Sequence, residues 1–132
     1  MKLVADTHIF LWWIEDSKRL SAAQRKALRT VGPQTPLYLS DISLLEIVTL
    51  VRKGRYKIHL PMEAWLSKAV SPPLVERVAI SPQIAAEVAH LPVTFHGDPT
   101  DQIIVATARC LGATLLTADE KIIESRIART ID

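Results

Sequence analysis

Cysteine, glycine and aromatic residues are all scarce in this chain of 132 residues. Its single cysteine, Cys110, excludes an internal disulfide and fits a reducing, cytoplasmic setting. The four glycines form no Gly-x-Gly-x-x-Gly turn, which leaves out the phosphate cradle of a dinucleotide-binding fold. No apolar run approaches the roughly 20 residues that span a bilayer. Leu3-Val4-Ala5 is cut short by Asp6, well under the about 7 to 15 residues of a signal-peptide core. A soluble protein without membrane attachment is expected. The net charge of +2 is too small to mark a nucleic-acid binder by itself. The histidines His8, His59, His90 and His96 have no metal-ligand spacing. Repeats, low-complexity tracts and interdomain linkers are also missing, and with 48% apolar residues the whole of 1–132 is expected to form one domain.

What is present is apolar sequence cut into short, capped pieces. Leu3-Val4-Ala5 is an unbroken apolar run, which suits a strand buried on both faces of a parallel sheet. Asp6 ends it at the carboxyl edge, where loops and helix N-termini converge and open α/β sheets hold ligands. An opening strand in the middle of the sheet puts Asp6 at the centre of that crevice. Ile9 to Ile14 reads as a short helix closed by Glu15-Asp16, and a second helix starts at Ser21 and stops at Gly32-Pro33. Leu37 to Ser40 is the second strand, with Ser40 or Asp41 capping a helix from Ile42 to about Lys53 that Gly54 ends. Tyr56 to Pro61 is extended, and Met62 to about Val70 is a helix stopped before Pro72-Pro73. Leu74 to Val78 alternates like an edge strand, and Ser81-Pro82 opens a helix to about His90. Asp98-Pro99-Thr100-Asp101 introduces the longest apolar helix, Gln102 to about Leu111, closed by Gly112. Ala113 to Thr117 is the fourth strand, Asp119 begins a short helix through Ile123, and Ile127-Ala128-Arg129 is the candidate fifth strand. Strands alternating with helices through right-handed crossovers give an α/β fold, a three-layer α/β/α sandwich with a central, mainly parallel sheet of four to five strands.

Four acids stand where this order brings them to one edge. Asp6 ends strand one, Asp119 follows strand four, Asp101 lies in the first turn of the long helix, and Glu46 sits one turn into the helix after strand two. Between Ile42 and Val51 only Ser43, Glu46 and Thr49 are polar, and their spacing of three places them on one helix flank. Separate explanations stand beside this one. Asp6 and Asp119 also read as helix caps, and Asp98 before Pro99 reads as an N-cap that leaves Asp101 as an acid favoured by the helix dipole. Glu46 can pair with an arginine or sit on a solvated edge. Against these stands the coincidence of the four, with Lys121 the sole lysine or arginine beside any of them. Two carboxylates about 4 Å apart repel by about 4 kcal/mol at an effective dielectric near 20, so such a cluster calls for a divalent cation. Carboxylates and hydroxyls suit one or two Mg²⁺ or Mn²⁺ ions rather than zinc. Such a centre supports in-line displacement at a phosphodiester. Thr7 and Thr117 are placed to hydrogen-bond the acids or their waters.

These stretches resemble a PIN domain, and within that family the toxin ribonucleases of VapBC toxin-antitoxin pairs. The resemblance runs through Val4-Ala5-Asp6-Thr7-His8 with Leu11-Trp12-Trp13, Ser43 through Glu46, Asp98-Pro99-Thr100-Asp101 with Ala106-Thr107-Ala108, and Leu116-Thr117-Ala118-Asp119, in order over nearly the whole chain. It implies a metal-dependent endoribonuclease whose acids are Asp6, Glu46, Asp101 and Asp119, with Asp98 a frequent companion. It also implies an RNA substrate, a homodimer, and a small VapB-like antitoxin with a DNA-binding module and a flexible tail over the active site. An arginine in that tail is expected to enter the acid pocket, because a guanidinium forks onto carboxylates, while apolar tail residues cover the surface near Trp12 and Trp13. Within the family, a housekeeping nuclease and an interaction domain with a decayed site are the alternatives.

Arg52, Lys53, Arg55 and Lys57, with Tyr56 among them, either track RNA phosphates or complement the dipole at a helix C-terminus. Trp12 and Trp13 are neighbours that cannot both face one core, so one is available to a partner. Cys110 reads as buried and inert. Two other folds compete, one that also opens with a strand ending in Asp and one that also gathers acids at this edge. A phosphatase of the haloacid dehalogenase type needs a second acid where His8 stands, and a receiver domain needs paired early acids and a late lysine where Thr117-Ala118-Asp119 stands.

Overall fold

The computed structural model describes residues 1–95 and 98–132. Its strands are β1 (Leu3–Ala5), β2 (Leu37–Ser40), β3 (Val75–Val78), β4 (Thr114–Leu116) and β5 (Thr130–Ile131). They form one parallel sheet in the order β3-β2-β1-β4-β5, so the opening strand is central and the β3 strand with exposed Glu76 and Arg77 is at an edge, as expected. The helices among the described residues are α1 (Thr7–Ile14), α2 (Ala22–Leu28), α3 (Ile42–Arg52), α4 (Met62–Ala69), α5 (Pro82–Val88), α6 (Pro99–Leu111) and α7 (Glu120–Ser125).

Successive strand residues point to opposite faces, and here they feed two cores. Leu3 and Ala5 of β1 join Leu37 and Leu39 of β2, with Phe10, Leu28, Ile47 and Val70 covering them from the layer of α1 to α4. Val4 and Leu115 face the other way, onto Ile104, Val105 and Ala108 of α6 and Ile122 of α7. Val4, Leu37, Leu39, Ile47, Val105 and Leu115 are fully excluded from water. Full burial of each such aliphatic side chain contributes about 1.5–3 kcal/mol, which explains why a sheet of such short strands persists. The three-layer α/β/α sandwich is therefore the observed architecture. None of the described helices is long and apolar enough to cross a membrane.

Several boundaries differ from the sequence expectation. α1 and α6 start at Thr7 and Pro99, two and three residues early, because Asp6 and Asp98 cap them. Asp41 stands at the N-cap of α3 without bonding it; its carboxylate pairs with Arg77 at 3.0 Å, and Ser40 Oγ accepts the Ile42 N–H at 3.3 Å. The fifth strand is not Ile127-Ala128-Arg129 but Thr130–Ile131. Arg126 ends α7 in the left-handed region (φ 55°), and Ile127 and Ala128 then pack against the second core before the chain reaches β4, where Leu115 pairs with Thr130. Cys110 is half-buried rather than buried, since it lies on the side of α6 that meets Gln83 of α5, 3.8 Å from its carbonyl.

Candidate active site

The chain places β2 on one side of β1 and β4 on the other, so the sheet order switches beside β1 and opens a crevice at its carboxyl end. Asp6 is the first residue past β1, and its N–H continues the ladder to the Leu116 carbonyl at 3.0 Å. Its Oδ1 accepts the N–H of Ile9 at 2.9 Å, capping α1, and its Oδ2 accepts the hydroxyl of Thr117 at 2.5 Å. Thr117, wholly buried, also accepts the N–H of Asp119 at 3.0 Å, tying the end of β4 to the turn that carries the next acid. Asp119 Oδ1 caps α7 through the N–H groups of Lys121 (2.9 Å) and Ile122 (3.4 Å), and Asp98 Oδ1 caps α6 through Thr100 (3.0 Å). Cap and site are thus not alternatives at Asp6, Asp98 and Asp119: a cap uses one carboxylate oxygen, and all three carboxylates still line the crevice.

Glu46 arrives on α3. That helix is held to the start of α1 by a buried bond in which the Thr7 hydroxyl donates to Ser43 Oγ at 2.9 Å. Thr7 also lines the cavity, and the bond its hydroxyl donates goes to Ser43, one helical turn before Glu46, and not to a carboxylate. Asp6, Glu46, Asp98, Asp101 and Asp119 line one cavity of about 370 Å³ with His8 and Trp12, and no lysine or arginine lines it among the described residues. Lys121 lines a different cavity, with Phe95 and Glu124.

The electrostatic consequence is visible at Asp101. Burial first, and then the charges of Asp98, Asp119, Glu46 and Asp6, push its carboxyl up to about 7. Burial also raises the Asp6 carboxyl, against the opposing pull of the Thr117 and Ile9 hydrogen bonds and of His8. Among the described residues no three Asp, Glu, His or Cys side chains are gathered closely enough to form a ready-made metal cage. The donors around the cavity are five carboxylates, the Thr7 hydroxyl and the His8 imidazole, a set dominated by oxygen that fits a hard ion keeping much of its water and taking one or two carboxylates directly.

The remaining candidates separate. Arg52, Lys53, Arg55 and Lys57 are all exposed, but only Lys53 and Arg55 line a groove that adjoins the acid cavity. His96 lies outside the described residues. Contrary to the expectation that they cannot both face one core, Trp12 and Trp13 are both half-buried against the first core, where Trp13 packs on Phe10 with ring centres 6.2 Å apart and Trp12 also meets His8 at 6.4 Å and the Arg19 guanidinium at 5.8 Å. Sequence reasoning missed Gln24. Its buried amide donates to the carbonyls of Thr117 (3.3 Å) and Ile131 (3.4 Å), holding the two strand ends behind the acids, and its signal was the Ser21-x-x-Gln24 capping box that it completes.

Fold and site together define a small α/β domain with an acidic crevice at the switch point of a parallel sheet. Residues 3–127 match the PIN domain family, and the chain belongs to it. It is similar to ribonuclease VapC22 of Mycobacterium tuberculosis (strain H37Rv), with 32% identity over 129 residues that cover 98% of this chain and 95% of that protein. Its fold is that of VapBC2 from Rickettsia felis, solved bound to a DNA fragment from their promoter, with a TM-score of 0.72, 18% identity, and 99% of this chain and 98% of that chain covered. The fold is also that of VapBC-1 from nontypeable Haemophilus influenzae, with a TM-score of 0.69, 17% identity, and 100% and 98% covered.

Proposed function

We propose that the protein is a Mg²⁺- or Mn²⁺-dependent endoribonuclease that hydrolyses phosphodiester bonds in RNA and acts as the toxin of a type II toxin-antitoxin pair. The observation that carries this reading is the convergence of Asp6, Glu46, Asp98, Asp101 and Asp119 on one cavity that no lysine or arginine lines among the described residues, where burial and the neighbouring acids push the Asp101 carboxyl up to about 7. A pocket so costly to ionise has a physical reason to exist if it holds a cation. Asp6, Glu46, Asp101 and Asp119 would hold one or two ions, with Asp98 at the rim. A bound ion supplies an activated water and neutralises charge on the leaving oxygen.

The chain's own residues prepare the rest. Thr117 and the Ile9 N–H hold both oxygens of Asp6 before any ligand arrives, so little reorganisation is needed when charge develops. Asp101 is half-buried on the first turn of α6, and burial with the neighbouring acids pushes its carboxyl up to about 7. Trp12 and Ile104 give the cavity an apolar wall beside its acids.

The toxin role is supported by similarity to a protein named ribonuclease VapC22 and by likeness to VapBC complexes. The corresponding partner is a small antitoxin. Trp13, Ile14, Leu60 and Trp65 line an apolar cavity of about 500 Å³ suited to the apolar residues of its tail, and an arginine further along would fork onto the carboxylates. The same apolar face also suits a second copy of the chain in a homodimer. A cytoplasmic location fits that role. The test is cleavage of single-stranded or loop RNA. It should require Mg²⁺ or Mn²⁺, stop in chelator, and disappear in Asp6→Asn and Asp101→Asn proteins with unchanged circular dichroism. Undiminished cutting by either variant, or by wild type in excess chelator, overturns the reading.

A further inference from the structure

A second opening of about 670 Å³ adjoins the acid cavity, between α1 and the C-terminal end of α3. It shares His8, Trp12, Glu46 and Asp98 with that cavity, and then adds Arg19, Lys53 and Arg55, three cations that the acid cavity lacks. Local backbone structure puts them there. α3 ends at Arg52 with Lys53 as its C-cap, Gly54 takes a left-handed conformation (φ 72°), and the N–H groups of Gly54 and Arg55 return to the carbonyls of Val51 (3.0 Å) and Leu50 (2.9 Å). In this closure the residue after the glycine folds back toward the helix, and it is commonly apolar; here it is Arg55. Across the opening, Ser17 Oγ accepts the Arg19 N–H at 3.1 Å, and the Arg19 guanidinium stands 5.8 Å from the centre of the Trp12 ring. Glu15 and Tyr56 also line the groove.

Exposed cations alone are an ordinary solvated face. Continuity with the acids is what distinguishes these. A strand whose phosphate sits among the carboxylates has to leave by an opening, and this one offers cations for the next phosphates and, in Trp12, an aromatic face on the wall common to both cavities. Aromatic faces beside cations are how proteins hold unpaired strands, because every base has a π-face and duplexes do not expose theirs.

We propose that this groove holds the single-stranded RNA flanking the cleavage point, with Arg19, Lys53 and Arg55 taking phosphates and Trp12 stacking on a base. The inference rests on the ribonuclease reading and adds to it the path of the strand and four positioning residues. The probe is a fluorescein-labelled oligoribonucleotide, titrated by anisotropy in Mg²⁺ over a series of KCl concentrations against the non-cutting Asp6→Asn protein. Arg19→Gln, Lys53→Gln and Arg55→Gln should each lower the slope of log affinity against log salt by about 0.7, and the triple variant by about 2. Trp12→Leu should weaken binding about tenfold with the slope unchanged, and Trp12→Phe, which keeps a ring, should recover most of it. In the cutting enzyme the triple variant should raise KM more than it lowers kcat, whereas Lys26→Gln, an exposed cation on α2, should alter neither slope nor KM. An unchanged slope and KM in the triple variant, with wild-type cutting intact, overturns the groove and leaves the nuclease reading standing. The same unchanged slope with weaker antitoxin binding also overturns it and gives the cations to the protein partner. A wild type that neither cuts nor binds RNA overturns the nuclease reading itself.

Discussion

Replacing Thr117 by valine keeps the outline of the side chain and removes one hydroxyl. That hydroxyl is wholly buried, donates to Asp6 Oδ2 at 2.5 Å and accepts from the Asp119 N–H at 3.0 Å. With valine in place, Asp6, only 8% exposed, keeps the single bond from the Ile9 N–H to its other oxygen. A hydrogen bond to a charged group contributes about 1.5–3 kcal/mol, and a buried partner left without one costs about 1–3 kcal/mol. The extra apolar surface of valine and easier protonation of Asp6 return part of the loss, so we expect a net destabilisation of about 2 kcal/mol at neutral pH. For a domain of this length each kcal/mol moves Tm by roughly 3–5 °C, which puts the fall at about 6–10 °C. Urea unfolding in chelator, followed by circular dichroism, measures the difference directly. Thr117→Ser, which retains the hydroxyl, should recover the larger part. Since the Thr117 bond is the largest influence opposing the burial-driven rise of the Asp6 carboxyl, Asp6 should titrate higher still in Thr117→Val when followed by carbon-13 NMR. A valine variant with wild-type urea resistance and an unmoved Asp6 titration would refute the idea that this hydroxyl prepares the acid.

Ion binding should stabilise the folded state, by about 2.7 kcal/mol at a free-ion level 100 times the dissociation constant. Mg²⁺ should therefore raise the Tm of wild type more than that of Asp6→Asn, and equal shifts would place the ion elsewhere. In chelator, stability should fall as pH rises from about 4 to 7: Asp101 goes from its ordinary 3.8 to about 7 on folding, so the folded state binds the extra proton in that window and loses the advantage as the group ionises. Asp6 is raised in the same direction, while Glu87, lowered by Arg109 and His90, acts only below its ordinary 4.5 and does not offset the trend. Urea midpoints at pH 5 and 8 check this, with Asp101→Asn flattening the difference; a midpoint that rises toward pH 8 contradicts it. Expression of the chain alone should arrest growth, co-expression of a cognate antitoxin should restore it, and loss of an arginine from the antitoxin's tail should weaken the rescue. Harmless expression of active, folded protein would favour a housekeeping nuclease.

Some of this was written in the order of the residues. Leu3-Val4-Ala5 followed by Asp6 signalled a doubly buried parallel strand ending in an acid, and the strand proved central because an unbroken apolar run needs cover on both faces. The spacing of Ser43, Glu46 and Thr49 likewise survived, since a helix fixes which residues share a flank: Ser43 bonds Thr7, and Glu46 and Thr49 line the openings beyond. Caps and periodicities act over a few residues, so local sequence determines them. The rest was decided between segments far apart in the chain. Nothing near Gln24 announces that its amide will reach the Thr117 and Ile131 carbonyls, and nothing near Arg19 that it will face Trp12 across from Lys53 and Arg55. The fifth strand moved to Thr130–Ile131 because its place depends on where β4 offers ladder partners, and the Asp101 carboxyl is pushed up to about 7 because packing buries it and brings Asp98, Asp119, Glu46 and Asp6 around it. Sequence determines what each segment prefers by itself; desolvation, charge repulsion and long-range hydrogen bonds depend on distances between segments, and only the packed sheet and helices set those.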